Sequence, residues 1–215
     1  MERLSKVYVV RYPSLHDLGE IMKDLISCSD CPTKRNCIWA GLSTVDHHQL
    51  LNIIKLHRSK SRCYNLFRIG ESLRSLNVLR SGSAKTWNVT EEGEEHIIRF
   101  YFPGDVLGLG AISRGVYDCN ATTLDTCSLC ELPFKRFQIL AEEIPDLNYQ
   151  LLKLMSREIA QEEQRIILRA NRSAPARLAS FLHCLSRNFA GQGFSSQDFN
   201  LTMGRKEIAN YLGLA

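Results

Sequence analysis

The chain has 215 residues, 44% of them hydrophobic and 23% charged, and Lys+Arg exceeds Asp+Glu by 27 − 23 = 4. These are the values of an ordinary globular protein, and they exclude collagen-like, low-complexity and wholly disordered chains. No apolar run approaches the ~20 residues of a membrane-spanning helix, and Met1-Glu2-Arg3-Leu4 leads into no apolar signal core. A cytoplasmic protein without membrane contact is therefore expected. Its eight cysteines should be thiols, metal ligands or redox groups rather than structural disulfides.

Charge is unevenly placed. Ile166 to Gln197 holds four arginines (Arg169, Arg172, Arg177, Arg187) and no acid, whereas Glu131 to Glu163 holds seven acids against four bases. The C-terminal part thus leans toward a polyanion.

In chain order, residues 1–27 read as an arm with a helical stretch near Leu15–Ile26. Three cysteines follow within ten residues, Cys28, Cys31 and Cys37. His47 and His48 beside Asp46 fall on a helix surface and read as solvated. From Gly70 glycines recur at Gly82, Gly93, Gly104 and Gly115, in steps of 12, 11, 11 and 11. Between them lie short runs rich in β-branched and aromatic residues: Ser75–Arg80, Ala84–Thr90 and His96–Phe102. Strands at such spacing argue a β-sandwich or barrel, with a glycine at each corner to supply positive φ. The turn Thr90-Glu-Glu-Gly-Glu-Glu95 gathers four acids, which suits a solvated hairpin tip.

Pro145-Asp146 opens the clearest helix, with proline tolerated in the first turn. It runs to about Ala170, ~37 Å at 1.5 Å per residue. Leu152, Met155, Ile159, Glu162 and Ile166 recur at 3, 4, 3, 4 spacing, which is a heptad seam. Such a seam faces either its own core or a partner helix. The acid at one position favours a partner, because one charged seam residue can set association state at a cost in stability. A further helix is expected at about Ala176–Ala190, broken by Gly191-Gln-Gly193. Phe199–Met203 reads as a short strand. Arg205–Leu212 reads as a last helix, with Thr202 or Gly204 near its start and Gly213 as the C-terminal glycine.

The ordered set of segments resembles the CRP/FNR transcription regulators, and within them the oxygen-sensing FNR branch. The segments are Cys28-x2-Cys31-x5-Cys37, Leu79-Arg-Ser-Gly-Ser-Ala-Lys85, Phe102-Pro-Gly-Asp-Val-Leu-Gly108, Cys130-Glu-Leu-Pro-Phe134, the long helix, and Leu201 through Leu214. The resemblance implies an α+β fold with four parts. These are an N-terminal arm and cluster loop (1–40), a jelly-roll β-roll of the cyclic-nucleotide-binding type (41–143), a dimerisation helix (144–172) and an incomplete winged helix-turn-helix (173–215). It further implies that Cys28, Cys31, Cys37 and Cys130 bind a 4Fe-4S cluster, for which four thiolates are the usual complement. Cys127, in Cys127-Ser-Leu-Cys130, stands as a rival fourth ligand. A four-cysteine zinc site also begins Cys-x2-Cys, but its second pair usually follows within ~15–20 residues. Cys63, Cys119 and Cys184 match no motif and read as ordinary small apolar residues.

Implied partners are a homodimer mate along Leu152, Met155, Ile159, Glu162 and Ile166, RNA polymerase near the acidic hairpin, and DNA. Cyclic nucleotide is not expected. Members that bind it place a Glu just after the last roll glycine and an Arg further on, whereas Gly108 here precedes Leu-Gly-Ala-Ile-Ser. A buried phosphate without a cation is costly. Ala209 and Gly213 fit the first helix and turn of a helix-turn-helix, whose second helix would read the major groove. The chain ends at Ala215, so a fragment of a longer regulator is expected, with Arg205 and Lys206 able to touch phosphate but not to specify bases. The sequence holds no phosphate-cradling loop and no flavin or nicotinamide fingerprint, so no enzyme is expected. The alternatives are an iron–sulfur electron carrier and a zinc-stabilised binding module.

Overall fold

The computed structural model describes residues 31, 33–34, 37–38, 40, 42–170, 173–191, 193 and 195–214. The chain divides into two compact units, Met1–Cys31 and Pro32–Ala215, and every element below belongs to the second. The helical stretch expected near Leu15–Ile26 lies outside the described residues.

The elements run α1 (Thr44–Leu51), β1 (Lys55–Lys60), β2 (Asn65–Phe67), β3 (Ser75–Ser81), β4 (Ala84–Val89), β5 (Glu95–Tyr101), β6 (Val106–Leu107), a 3₁₀ turn (Leu109–Ile112), β7 (Asn120–Thr123), β8 (Cys127–Pro133), α2 (Phe134–Glu143), α3 (Pro145–Ala170), α4 (Ala174–Gly191) and α5 (Arg205–Leu212). The strands form two four-stranded sheets, ordered β1-β8-β3-β6 and β2-β7-β4-β5, and every strand pair is antiparallel. This is a jelly-roll-like β-roll followed by helices, the α+β architecture expected.

The spaced glycines turn the corners. Gly70, Gly82, Gly93, Gly104 and Gly115 all have φ between 70° and 95°. Gly82 is further constrained, because a Cβ there would lie 2.5 Å from the Thr126 carbonyl oxygen and 2.7 Å from Cys127 Sγ. The β3–β4 corner therefore closes onto the start of β8 only when it carries no side chain.

Strand β3 is buried from Ser75 through Leu79 without alternation, as a strand covered on both faces must be. One cover is the roll interior. The other includes α2, whose Phe134, Phe137 and Leu140 are buried. Leu76, Leu79, Leu129 and Leu132 are at most 1% exposed, and each buried side chain of this size contributes about 1.5–3 kcal/mol.

Helix α4 begins at Ala174, two residues earlier than the pattern suggests, because Pro175 fits its first turn, where no N–H is needed. The strand expected at Phe199–Met203 does not form, and the backbone there is irregular. Phe199 stacks on Phe189 instead, at 5.0 Å between ring centroids, and Met203 enters the core. Ile97, Phe100, Phe102 and Leu124 of the roll share one buried cluster with Leu185, Met203, Ile208, Tyr211 and Leu212 of the C-terminal segment.

Candidate cofactor site and dimer seam

Strand β8 sorts its two cysteines by parity. Side chains alternate across a strand, so Cys127 shares a face with Leu129 and Cys130 shares the other with Leu132. Cys130 lies mid-sheet between Leu56 of β1 and Val78 of β3, and is 6% exposed. Cys127 is fully buried, its thiol directed at the carbonyl oxygens of Ser83 (3.1 Å) and Asp125 (3.2 Å). Burial pushes the Cys127 thiol above its ordinary pKa.

Cys31 and Cys37 are also buried, at 6% and 7% exposure, while Cys28 lies outside the described residues. Among the described residues, no three His, Cys, Asp or Glu side chains form a set that could hold a metal ion. As chemistry the donor set fits an iron–sulfur cluster: soft sulfur ligands, with Cys37 and Cys130 each shielded from water.

Of the cysteines that match no motif, Cys63 and Cys184 are exposed, and Cys63 has φ 63°. Cys119 is half-buried, its thiol pushed up to about 12, chiefly by burial and then by Asp118.

Helix α3 carries apolar residues on two faces. Leu147 and Leu154 are buried, whereas Leu152, Ile159 and Ile166 stand 57%, 61% and 58% exposed. Met155 is half-buried. Glu162, at the fourth seam position, accepts a hydrogen bond from Arg165 at 2.7 Å. An isolated α3 thus presents an apolar stripe to solvent, as a helix built to pair with another does.

Next to this stripe, Arg99 of β5 binds the Glu158 carboxylate through both terminal nitrogens and stacks on Tyr101 at 4.5 Å. Arg99 and Glu158 line a cavity of about 370 Å³ in the roll, together with Thr86, Asn88, Asp118 and Ile159. The buried guanidinium here is already neutralised.

Arg205 and Lys206 are exposed at the start of α5, while Ile208, Tyr211 and Leu212 on the same helix are buried. His48 is exposed and His47 half-buried on α1. Of the hairpin acids, Glu91, Glu92 and Glu94 are exposed, but Glu95 turns back to Lys85 at 2.6 Å. Sequence reasoning missed Arg99, Glu158, Lys85, Glu207 and Asn210. Apart from the Lys85–Glu95 pair, ten residues apart, their pairings span 59 to 122 residues, and no local pattern signals them. Among the described residues, no helix is long and apolar enough to cross a membrane.

Residues 64–143 match the cyclic nucleotide-binding domain family. The chain is 41% identical over 188 residues to the transcriptional activator protein anr of Pseudomonas aeruginosa, covering 87% of this chain and 77% of that protein. It is 40% identical over 189 residues to the fumarate and nitrate reduction regulatory protein of Escherichia coli, covering 88% of this chain and 76% of that one. In fold it is similar to FixK2 from Bradyrhizobium japonicum, with a TM-score of 0.65 and 20% identity over 75% of this chain and 78% of the other. Likeness of this degree to regulators, over most of the length on both sides, establishes that the chain belongs to the CRP/FNR family of transcription regulators, in its FNR branch, and is not an enzyme.

Proposed function

We propose that in this oxygen-responsive transcription regulator a 4Fe-4S cluster, held by Cys28, Cys31, Cys37 and Cys130, controls dimerisation and DNA binding. When bound, such a cluster supplies sensitivity to oxygen. The observation that carries the reading is the 40% identity, over 88% of the chain, to a fumarate and nitrate reduction regulatory protein. The local structure supports it: Cys130 is buried mid-sheet with its side chain on the face opposite Cys127.

The residues of the chain divide the work. Leu152, Met155, Ile159 and Ile166 pair with the same residues of a second copy, and burial of that stripe drives association at ~25 cal/mol per Å². Glu162 opposes it, since two carboxylates brought to one seam repel and lose hydration. A dimer presents two reading heads to a palindromic site. Arg205 and Lys206 touch DNA phosphate, and Glu91, Glu92 and Glu94 offer an acidic surface to RNA polymerase. Cyclic nucleotide is not the effector: Arg99 in the roll cavity is held by Glu158, and a phosphate there would meet that carboxylate as well as Asp118.

Purification without oxygen, followed by iron, sulfide and zinc analysis with a visible spectrum, tests this reading. Four irons and four sulfides per chain are expected. Stoichiometric zinc without sulfide would replace the reading with a zinc-stabilised binding module.

A further inference from the structure

Strand β5 is an edge strand, the last in the order β2-β7-β4-β5. An edge strand leaves a row of N–H and C=O groups without a neighbouring strand. Here α5 supplies the neighbour through one side chain. The Ile97 N–H donates to Asn210 Oδ1 at 2.7 Å, and Asn210 Nδ2 donates to the Glu95 carbonyl at 2.6 Å. The amide thus meets one donor and one acceptor, two residues apart on the outward edge, as a peptide unit of a paired strand would. An aspartate could only accept there, and an alanine could do neither.

A second contact enters from β4. The Lys85 ammonium lies between Glu95 at 2.6 Å and Glu207 of α5 at 2.8 Å, with its side chain 11% exposed. Glu207 also accepts from the Gly204 N–H at 2.7 Å, so the carboxylate that meets Lys85 also fixes the first turn of α5. A third contact joins the hydroxyls of Ser83 and Thr202 at 2.5 Å. These polar contacts surround an apolar one, where Tyr211 meets Phe100 at 5.0 Å and Phe181 at 5.6 Å between centroids. Apolar burial favours contact without fixing direction. The amide and the ammonium are satisfied in one register only.

We propose that Asn210 and Lys85 form a latch that fixes α5 against the edge of the β-roll, so that β4 and β5 set the attitude of the DNA-reading unit. Any twist of the β4–β5 hairpin is then carried to α5. This rests on reading α5 as part of that unit. The test below involves neither DNA nor cofactor, so a failed latch is distinguishable from a failed DNA-binding reading.

Amide hydrogen exchange on the chain, followed residue by residue, tests the latch. Asn210→Ala should speed exchange at Ile97 roughly tenfold or more, and at the amides of Ile208 to Leu212 with it, while the β8 amides keep their rates. Asn210→Asp should retain part of the Ile97 protection but not that of α5. Lys85→Met keeps both Asn210 hydrogen bonds to β5, though it frees the Glu95 carboxylate, and should still loosen α5. If Ile97 alone responds to Asn210→Ala, or if α5 keeps its protection in Lys85→Met, the latch is overturned. Should Asn210→Ala unfold, visible as uniform loss across β8, Asn210→Asp and Lys85→Met decide the matter.

Discussion

Arg99 on β5 and Glu158 on α3 are joined through both terminal guanidinium nitrogens and both carboxylate oxygens, across 59 residues of sequence. Their side chains are 10% and 18% exposed, and Asp105 lies 3.8 Å from Arg99. The pair fixes the rotation of α3 against the roll, and with it the direction in which Leu152, Ile159 and Ile166 point. Removing one partner leaves the other charge buried, so Arg99→Ala should cost about 3 kcal/mol of stability. The double variant Arg99→Met, Glu158→Leu should recover most of that loss. Thermal unfolding of the three proteins checks both statements.

The parity of β8 makes a paired prediction for its cysteines. Cys130→Ala should abolish iron retention and, as a buried site, cost the iron-free protein about 1–2 kcal/mol. Cys127→Ala should cost stability alone. It empties a site with no exposure and should cost about 1–2 kcal/mol, with iron content per chain unchanged. Iron analysis beside melting curves separates the two.

Much of the roll was legible because its signals are local. Each corner glycine announces its own φ, and the strands between them alternate or run apolar within a few residues. Helix α3 was legible for the same reason, since the stripe from Leu152 to Ile166 is written at helical spacing, but the buried face of Leu147 and Leu154 was not read. Phe199–Met203 misled, because Phe199 and Met203 are apolar for the sake of Phe189 and the shared core rather than a sheet. The choice between Cys127 and Cys130 could not be made from spacing alone. The family resemblance favours Cys130, and the register adds where each thiol lies: Cys130 between Leu56 and Val78, Cys127 against the Ser83 and Asp125 carbonyls. Arg99–Glu158, Lys85–Glu207 and Asn210–β5 were invisible. A charged or amide residue on a strand or helix reads as surface until the fold brings a distant partner to it.

The seam makes a prediction about assembly. Glu162 is paired with Arg165 at 2.7 Å and its side chain is 42% exposed, so its charge is partly offset within one chain. Glu162→Ala should therefore tighten the dimer by about 1 kcal/mol, roughly fivefold in dissociation constant, and shift the cluster-free protein toward dimer. Ile159→Glu puts a charge at the middle of the stripe and should keep the protein monomeric under all conditions. Sedimentation equilibrium measures both.

Docking of α5 should depend on pH through Lys85 and Glu207. Burial raises the Glu207 pKa, but hydrogen bonds from Lys85 and the Gly204 N–H, with the Lys85 charge and more distant Arg62, outweigh it and hold the carboxyl below its ordinary value. A group depressed in the folded state stabilises fully above its unfolded pKa, and that contribution fades as pH falls through the folded value. Burial likewise lowers the Lys85 pKa, but Glu207 and Glu95 outweigh it and raise the ammonium above its ordinary value. That contribution is complete below the unfolded pKa and fades as pH rises through the folded one. The stability difference between the parent and Glu207→Gln should therefore be greatest between these limits and shrink toward both extremes. Unfolding by urea across the pH range checks it.

If the proposed cluster governs pairing through α3, its loss must change the assembly state. Sedimentation velocity on protein prepared without oxygen, repeated on the same sample after exposure to air with the visible spectrum recorded alongside, measures this. The expected result is a dimer that becomes a monomer as the cluster absorbance disappears, with Ile159→Glu monomeric before and after. An assembly state that stays the same while the absorbance is lost would mean that the cluster does not govern pairing.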